Sequence, residues 1–335
     1  MKPGVYITFD VECSMGGAWD DPRYTPVPPS RAMMGEYGGR KLGLPLICDI
    51  LAEAGLAGTF FVETFAAEQG NDGQTAPACE LLLDRGQDVQ LHIHPNHWHY
   101  GLRRAGKPFP FTDQLADLPP EAQRELLATG CERIERWTGR RPIGFRAGNM
   151  GADETSLEQL AAVGIRIDSS YTFPYLGGQC RFRDAERYNG SKWYGGVLEL
   201  ALSAFRQRRM PGLHAAKPLD LMGISFAECR DAIRLICAAG ADAVMILHSF
   251  SFIKVRNCQY DGGRLNRIVA GRFRKLCRWL AENAAEFPTN TFSQLASAVE
   301  TDRYAPKAVP PCKLSNVLRP CVRKAVQVYN RFYRT

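Results

Sequence analysis

The residues able to do chemistry gather at a few short points of this sequence. Asp10 and Glu12 stand two apart at the end of an apolar run, Val5 to Val11, rich in β-branched and aromatic residues. On an extended strand, residues two apart point to one face. Carboxylates held side by side repel unless a cation lies between them or one is protonated. Four of the six histidines, His92, His94, His97 and His99, fall within eight residues. The pair His92-x-His94 at a strand end puts two imidazoles on one face, a spacing that suits Zn²⁺ or a similar divalent ion. One carboxylate with two histidines leaves a coordination position open, as catalytic sites do and structural ones do not. His248 closes the apolar run Ala243 to Leu247. Imidazole is the side chain suited to proton transfer near neutrality, so His248 is a candidate general acid.

These groups need elements to position them. Short stretches at 5–11, 58–63, 88–92, 144–146, 164–168, 197–202 and 243–247, the first and last of them apolar runs, read as strands. Between them, amphipathic stretches at 44–54, 78–85, 120–137, 156–163, 226–239 and 265–285 read as helices, several stopped by glycine. Residues 13–42, crowded with Gly, Pro and aromatics, read as a long loop, and 288–295 as a last strand followed by a short helix. Unbroken βα alternation predicts an α/β fold with parallel strands. Five of these strands end in ionisable groups: Asp10 and Glu12, His92 and His94, Arg146, Asp168, and His248. That edge of a parallel barrel is where active sites are built. There is no G-x-G-x-x-G, Walker or G-x-S-x-G sequence, so neither nucleotide binding nor a serine-hydrolase elbow is indicated.

Taken together, these segments resemble the NodB-type polysaccharide deacetylases, carbohydrate esterase family 4. Thr8-Phe9-Asp10-Val11-Glu12 resembles the family's T-F-D-D motif, and Gly58-Thr-Phe-Phe-Val62 its A-T-F-F-V strand. His92-Ile-His94-Pro95 resembles the histidine motif, Phe145-Arg146-Ala-Gly148 the arginine motif, and Leu247-His248-Ser249 the L-H-S motif. Residues 164–170 resemble the stretch leading into the family's fourth motif. The likeness spans roughly residues 4–300 in the family's order. It implies a distorted (β/α)7 TIM-like barrel of the NodB-homology type. It further implies a metal-dependent hydrolase that removes acetyl groups from an N-acetylated sugar or glycan. Carried over residue by residue, Asp10 would be the general base, Glu12 a metal ligand, Arg146 the residue orienting Asp10, and His248 the general acid. Two departures stand out: the carboxylates are D-x-E rather than D-D, and the histidines are H-x-H-P rather than H-x-x-x-H. His94 and His97 are therefore alternative second histidine ligands beside His92, with His94 favoured because it shares the strand face. Asp168 and Trp98 are candidates to support the site or touch substrate. Hydrolysis of a small non-glycan amide or imide, and non-catalytic glycan binding, are the alternative readings.

Composition bounds the partners. With 45% hydrophobic and 23% charged residues, the chain is ordinary globular protein rather than disordered or coiled-coil. The net charge of +7 is unevenly placed: residues 303–335 hold eight Lys and Arg and no acid. The remainder carries 34 basic and 35 acidic residues, which does not favour a nucleic-acid partner. The expected organisation is a catalytic barrel over 1–302 and a basic, amphipathic helical tail over 303–335. In that tail Leu314, Leu318, Cys321, Ala325, Val328 and Phe332 recur every three or four residues. Two readings follow: peripheral contact with an anionic membrane, or docking on the protein's own barrel. Eleven cysteines without C-x-x-C spacing, and an N-terminus without the apolar core of about 7–15 residues of an export signal, lead to an expected cytoplasmic location.

Overall fold

A computed structural model describes residues 2–66, 72–183, 186–208, 214–301, 303–316 and 318–332. Its centre is a curled sheet of seven parallel strands: β1 (Val5–Val11), β2 (Thr59–Glu63), β3 (Asp88–Ile93), β4 (Gly144–Ala147), β5 (Ile167–Asp168), β6 (Val197–Leu200) and β7 (Ala243–His248). The spatial order is β7-β1-β2-β3-β4-β5-β6. All seven residues of β1 are buried, because the strand has a neighbour on each side and packed layers on both faces. Beyond β6 the sheet continues antiparallel through Asn189–Tyr194 and then Ala308–Val309. No ladder joins β6 to β7 among the described residues. Irregular backbone spans the gap instead: Ser203 N donates to Val244 O at 3.0 Å and Ile246 N to Leu219 O at 3.0 Å. This is the distortion of the barrel.

Helices cover the outside: α1 (Leu44–Glu53), α2 (Asp72–Asp84), α3 (Pro95–Arg104), α4 (Pro120–Thr138), α5 (Glu154–Ala162), α6 (Phe226–Ala238), α7 (Arg267–Glu282), α8 (Phe292–Glu300) and α9 (Leu318–Phe332). Local chemistry sets their ends. Pro120 opens α4 and Gly139, at φ 70°, closes it. Reciprocal capping boxes start α5 (Asp153 with Ser156) and α6 (Ser225 with Glu228).

Several boundaries differ from the sequence reading. The stretch 13–42 is not all loop: it contains a turn of helix at Pro29–Ala32 and a hairpin of Glu36–Tyr37 with Arg40–Lys41. The stretch at 288–295 forms no strand. Only Thr289 bridges to Val5, because Pro288 lacks an N–H and Thr291 already caps α8. Helix α2 begins six residues earlier than its apolar period indicates, with Pro77 inside it. Asn189–Tyr194 is a strand that the sequence reading leaves unassigned. In the basic C-terminal segment, Ala308–Val309 and Cys312–Leu314 join sheets of the body, so Leu314 lies on a strand and, among the described residues, α9 alone is helical.

Candidate active site and metal centre

Sheet register brings the chemistry together. Asp10 on β1 pairs with His248 on β7, and His92 on β3 pairs with Arg146 on β4. Glu12 lies just beyond β1. His94 lies just beyond β3 as the residue before Pro95, which opens α3. The ligand atoms of Glu12, His92 and His94 all lie within 4.8 Å of one another. Oε2 of Glu12 is 3.0 Å from His92 Nε2 and 2.6 Å from His94 Nε2.

The far side of each ring is also held. His92 Nδ1 meets the carbonyl of Arg146 at 2.7 Å, and His94 Nδ1 meets Oδ2 of Asp113 at 2.9 Å. Both rings can thus donate Nδ1–H outward and turn the Nε2 lone pair toward Glu12, the arrangement that orients metal-binding histidines. The donor set, two imidazole nitrogens and a carboxylate, fits a divalent ion such as Zn²⁺. Electrostatics agree. Burial works to raise the Glu12 carboxyl, but the rings of His94 and His92 overcome it and hold it well below the usual range. Burial works to lower His94, but Asp113 and Glu12 overcome it and push the ring well above its ordinary value. Two carboxylates facing one ring call for positive charge at that point.

Asp10 is 2% exposed and accepts from Arg146 Nη1 at 2.7 Å. Arg146 is wholly buried over the Phe61 ring and donates from Nε and Nη2 to Ser169. Nε2 of His248 lies 3.9 Å from Oε1 of Glu12. A cavity of about 180 Å³ opens between these groups, lined by Asp10, Glu12, His94 and His248 and walled by Met150, Leu202 and Ile246.

Other candidates stand elsewhere. His97 is buried with Nε2 2.9 Å from the carbonyl of Cys13, outside the three-ligand cluster. Trp98 packs edge-on against Phe65, its ring 5.3 Å away. Asp168 is buried beside Glu199 on the adjacent strand, accepts from Ser170, and does not line the cavity.

No family model matches the sequence, and no curated protein matches it. Solved structures do match. A Mycobacterium smegmatis protein provisionally named a polysaccharide deacetylase superposes with a TM-score of 0.56 at 18% identity, over 93% of this chain and 95% of that one. The chain has the fold of the NodB-type deacetylases. Two further matches to this deacetylase fold are more distant. A family 4 carbohydrate esterase from Streptomyces lividans in complex with acetate has 12% identity and a TM-score of 0.43, covering 92% of this chain and 98% of that one. The peptidoglycan deacetylase PdaC from Bacillus subtilis has 13% identity and a TM-score of 0.42, covering 90% and 93%.

Two acids within this deacetylase fold escape sequence reasoning. Asp113, in a loop, holds His94 and also accepts from Asn149 Nδ2 at 2.7 Å; Asn149 stands in the left-handed region, at φ 53°. Asp220 lines the cavity from the irregular segment that fills the gap beside β7. Burial raises its carboxyl, and the nearby His248 opposes that. Neither acid ends an apolar run. The signal in the sequence is only an acid among Pro, Phe or Leu.

Proposed function

We propose that this chain is a metal-dependent hydrolase that removes the acetyl group of an N-acetylated sugar or glycan, releasing acetate and a free amine. The observation that carries the reading is the convergence of Glu12, His92 and His94 on one point, at a cavity that also holds Asp10 and His248. Glu12 and the two Nε2 atoms would hold a divalent ion, Zn²⁺ by its donor set, supplying Lewis acidity to water and carbonyl oxygen. Asp10 accepts the proton of the water that attacks the acetyl carbon. Arg146 fixes the carboxylate for that role through a charge-assisted hydrogen bond. His248, from the neighbouring strand, gives its proton to the sugar nitrogen as the C–N bond breaks. Leu202 and Ile246 supply an apolar wall for the acetyl methyl group.

The test is acetate release from an N-acetylglucosamine oligomer by the zinc-loaded chain. Asp10→Asn and His248→Ala should each slow turnover by about 10²–10⁴-fold with unchanged circular dichroism. Turnover near the unmodified level in both variants would overturn the assignment. A Glu12→Ala/His92→Ala double variant should retain no stoichiometric zinc on dialysis.

A further inference from the structure

Helix α9 is fastened to the body by its polar face. The guanidinium of Arg323, 2% exposed, pairs with Glu228 of α6 and donates to Oε1 of Gln207 at 2.8 Å. Arg319 pairs with Asp231 of α6. Gln327 Nε2 donates to the carbonyl of Gly223 at 3.1 Å, and the carbonyl of Asn330 accepts from Lys254 Nζ at 2.6 Å. Residues 319, 323, 327 and 330 lie three and four apart and mark one side of the helix.

The opposite side is apolar and faces water. Leu318 is 71% exposed, Val322 62% and Val328 45%, with the exposed Cys321 and Ala325 completing the stripe. A surface helix of a globular protein ordinarily has the reverse arrangement, apolar side in and charged side out. At the start of α9 lies a cleft of about 470 Å³, lined by Arg230, Arg234, Lys313 and Arg319 and flanked by Leu235 and Leu314. Asp231, its one acid, is engaged by Arg230 and Arg319, so the cleft keeps a surplus of positive charge. No helix among the described residues is long and apolar enough to cross a bilayer, so any lipid contact made by α9 lies in the plane of the surface.

We propose that α9 is an interfacial anchor: its outward apolar stripe enters the acyl boundary of an anionic bilayer, and the arginine-lined cleft takes a lipid headgroup phosphate. Charge complementarity selects this occupant. A second copy of the chain would bring its own cationic cleft, four Lys and Arg to one Asp, against the first, whereas an anionic leaflet neutralises that surplus. A free phosphate would fill the cleft and leave the stripe in water.

The test is flotation of the full chain with two vesicle preparations, phosphatidylcholine alone and phosphatidylcholine with phosphatidylglycerol. Binding is expected only to the second, weakening as salt is raised. Leu318→Asp/Val322→Asp, at exposed positions that the fold does not need, should lower the bound fraction by about tenfold or more, and Arg234→Glu/Lys313→Glu should do the same. Failure of the unmodified chain to float with phosphatidylglycerol vesicles would overturn the proposal, as would full binding by the Leu318→Asp/Val322→Asp chain. Concentration-dependent dimerisation abolished by Leu318→Asp, without vesicle binding, would assign the stripe to a second copy and also overturn it.

Discussion

Arg146 donates from Nη1 to Oδ1 of Asp10 at 2.7 Å, and the two side chains are 0% and 3% exposed. The pair joins β4 to β1 across the floor of the cavity, and the rest of the guanidinium fork is spent on Ser169. Arg146→Lys keeps the charge but loses the fork. It should displace Asp10 enough to cost about 10²-fold in deacetylation. Arg146→Met leaves a buried carboxylate without its partner and should cost about 3–5 kcal/mol of stability in urea denaturation. A urea midpoint for Arg146→Met equal to that of the unmodified chain would show that Asp10 is held by something else.

Gly148 is required by its neighbour rather than by its backbone. A β-carbon there would stand 2.5 Å from Nδ1 of His94, closer than any real contact. Gly148→Ala should therefore push the ring away from Asp113 and turn Nε2 off the proposed metal position. Zinc affinity, measured by competition with a chromophoric chelator, should fall about 10–100-fold. Unchanged affinity would mean that the loop after β4 moves instead of the ring.

Asp113 holds His94 from outside the Glu12, His92 and His94 cluster. Its carboxylate accepts from the ring, from Asn149 Nδ2 and from the backbone N–H of Asn96 at 3.2 Å. Asp113→Ala should weaken zinc binding by about 10–100-fold, with little change in thermal midpoint because the side chain is partly open to water. A large drop in midpoint with zinc affinity intact would make Asp113 a structural residue only.

The parts of the site differ in how readable they are in a sequence. β1 and β7 announce themselves because buried parallel strands are continuous apolar runs, so the ionisable residues ending them stand out, whereas β3, DVQLHI, alternates and is marked by its histidine pair. That the strands are parallel follows from βα alternation; their consecutive order follows only with the barrel that the family resemblance implies. Asp113 and Asp220 have no such frame: they reach the site through loop backbone, by contacts such as Ile246 N to Leu219 O. The choice between His94 and His97 turns on Pro95, which starts a helix and carries His97 round to Cys13. In α9 the three- and four-residue period is plain, but which side docks depends on Glu228 and Gln207, each about a hundred residues away in the chain.

Asp168 and Glu199 pair on adjacent strands β5 and β6, both fully buried. Asp168 is held by Ser170, and Glu199 accepts from Tyr171 N at 3.0 Å. Burial first, and then the charge of Asp168, pushes the Glu199 carboxyl well above its usual range, so Glu199 keeps the proton that the pair shares. Below the unfolded value of about 4.3, both folded and unfolded chains carry this proton and its stabilisation is complete. As pH rises past that point the unfolded chain releases the proton while the folded one retains it, so stability declines until folded Glu199 itself ionises. Glu199→Gln supplies a permanent donor to Asp168 and still accepts from Tyr171 N. In urea titrations the variant should match or fall below the unmodified chain near about pH 4 and exceed it near about pH 7.5. A difference in midpoint that stays constant across that range would show that the pair holds no such proton.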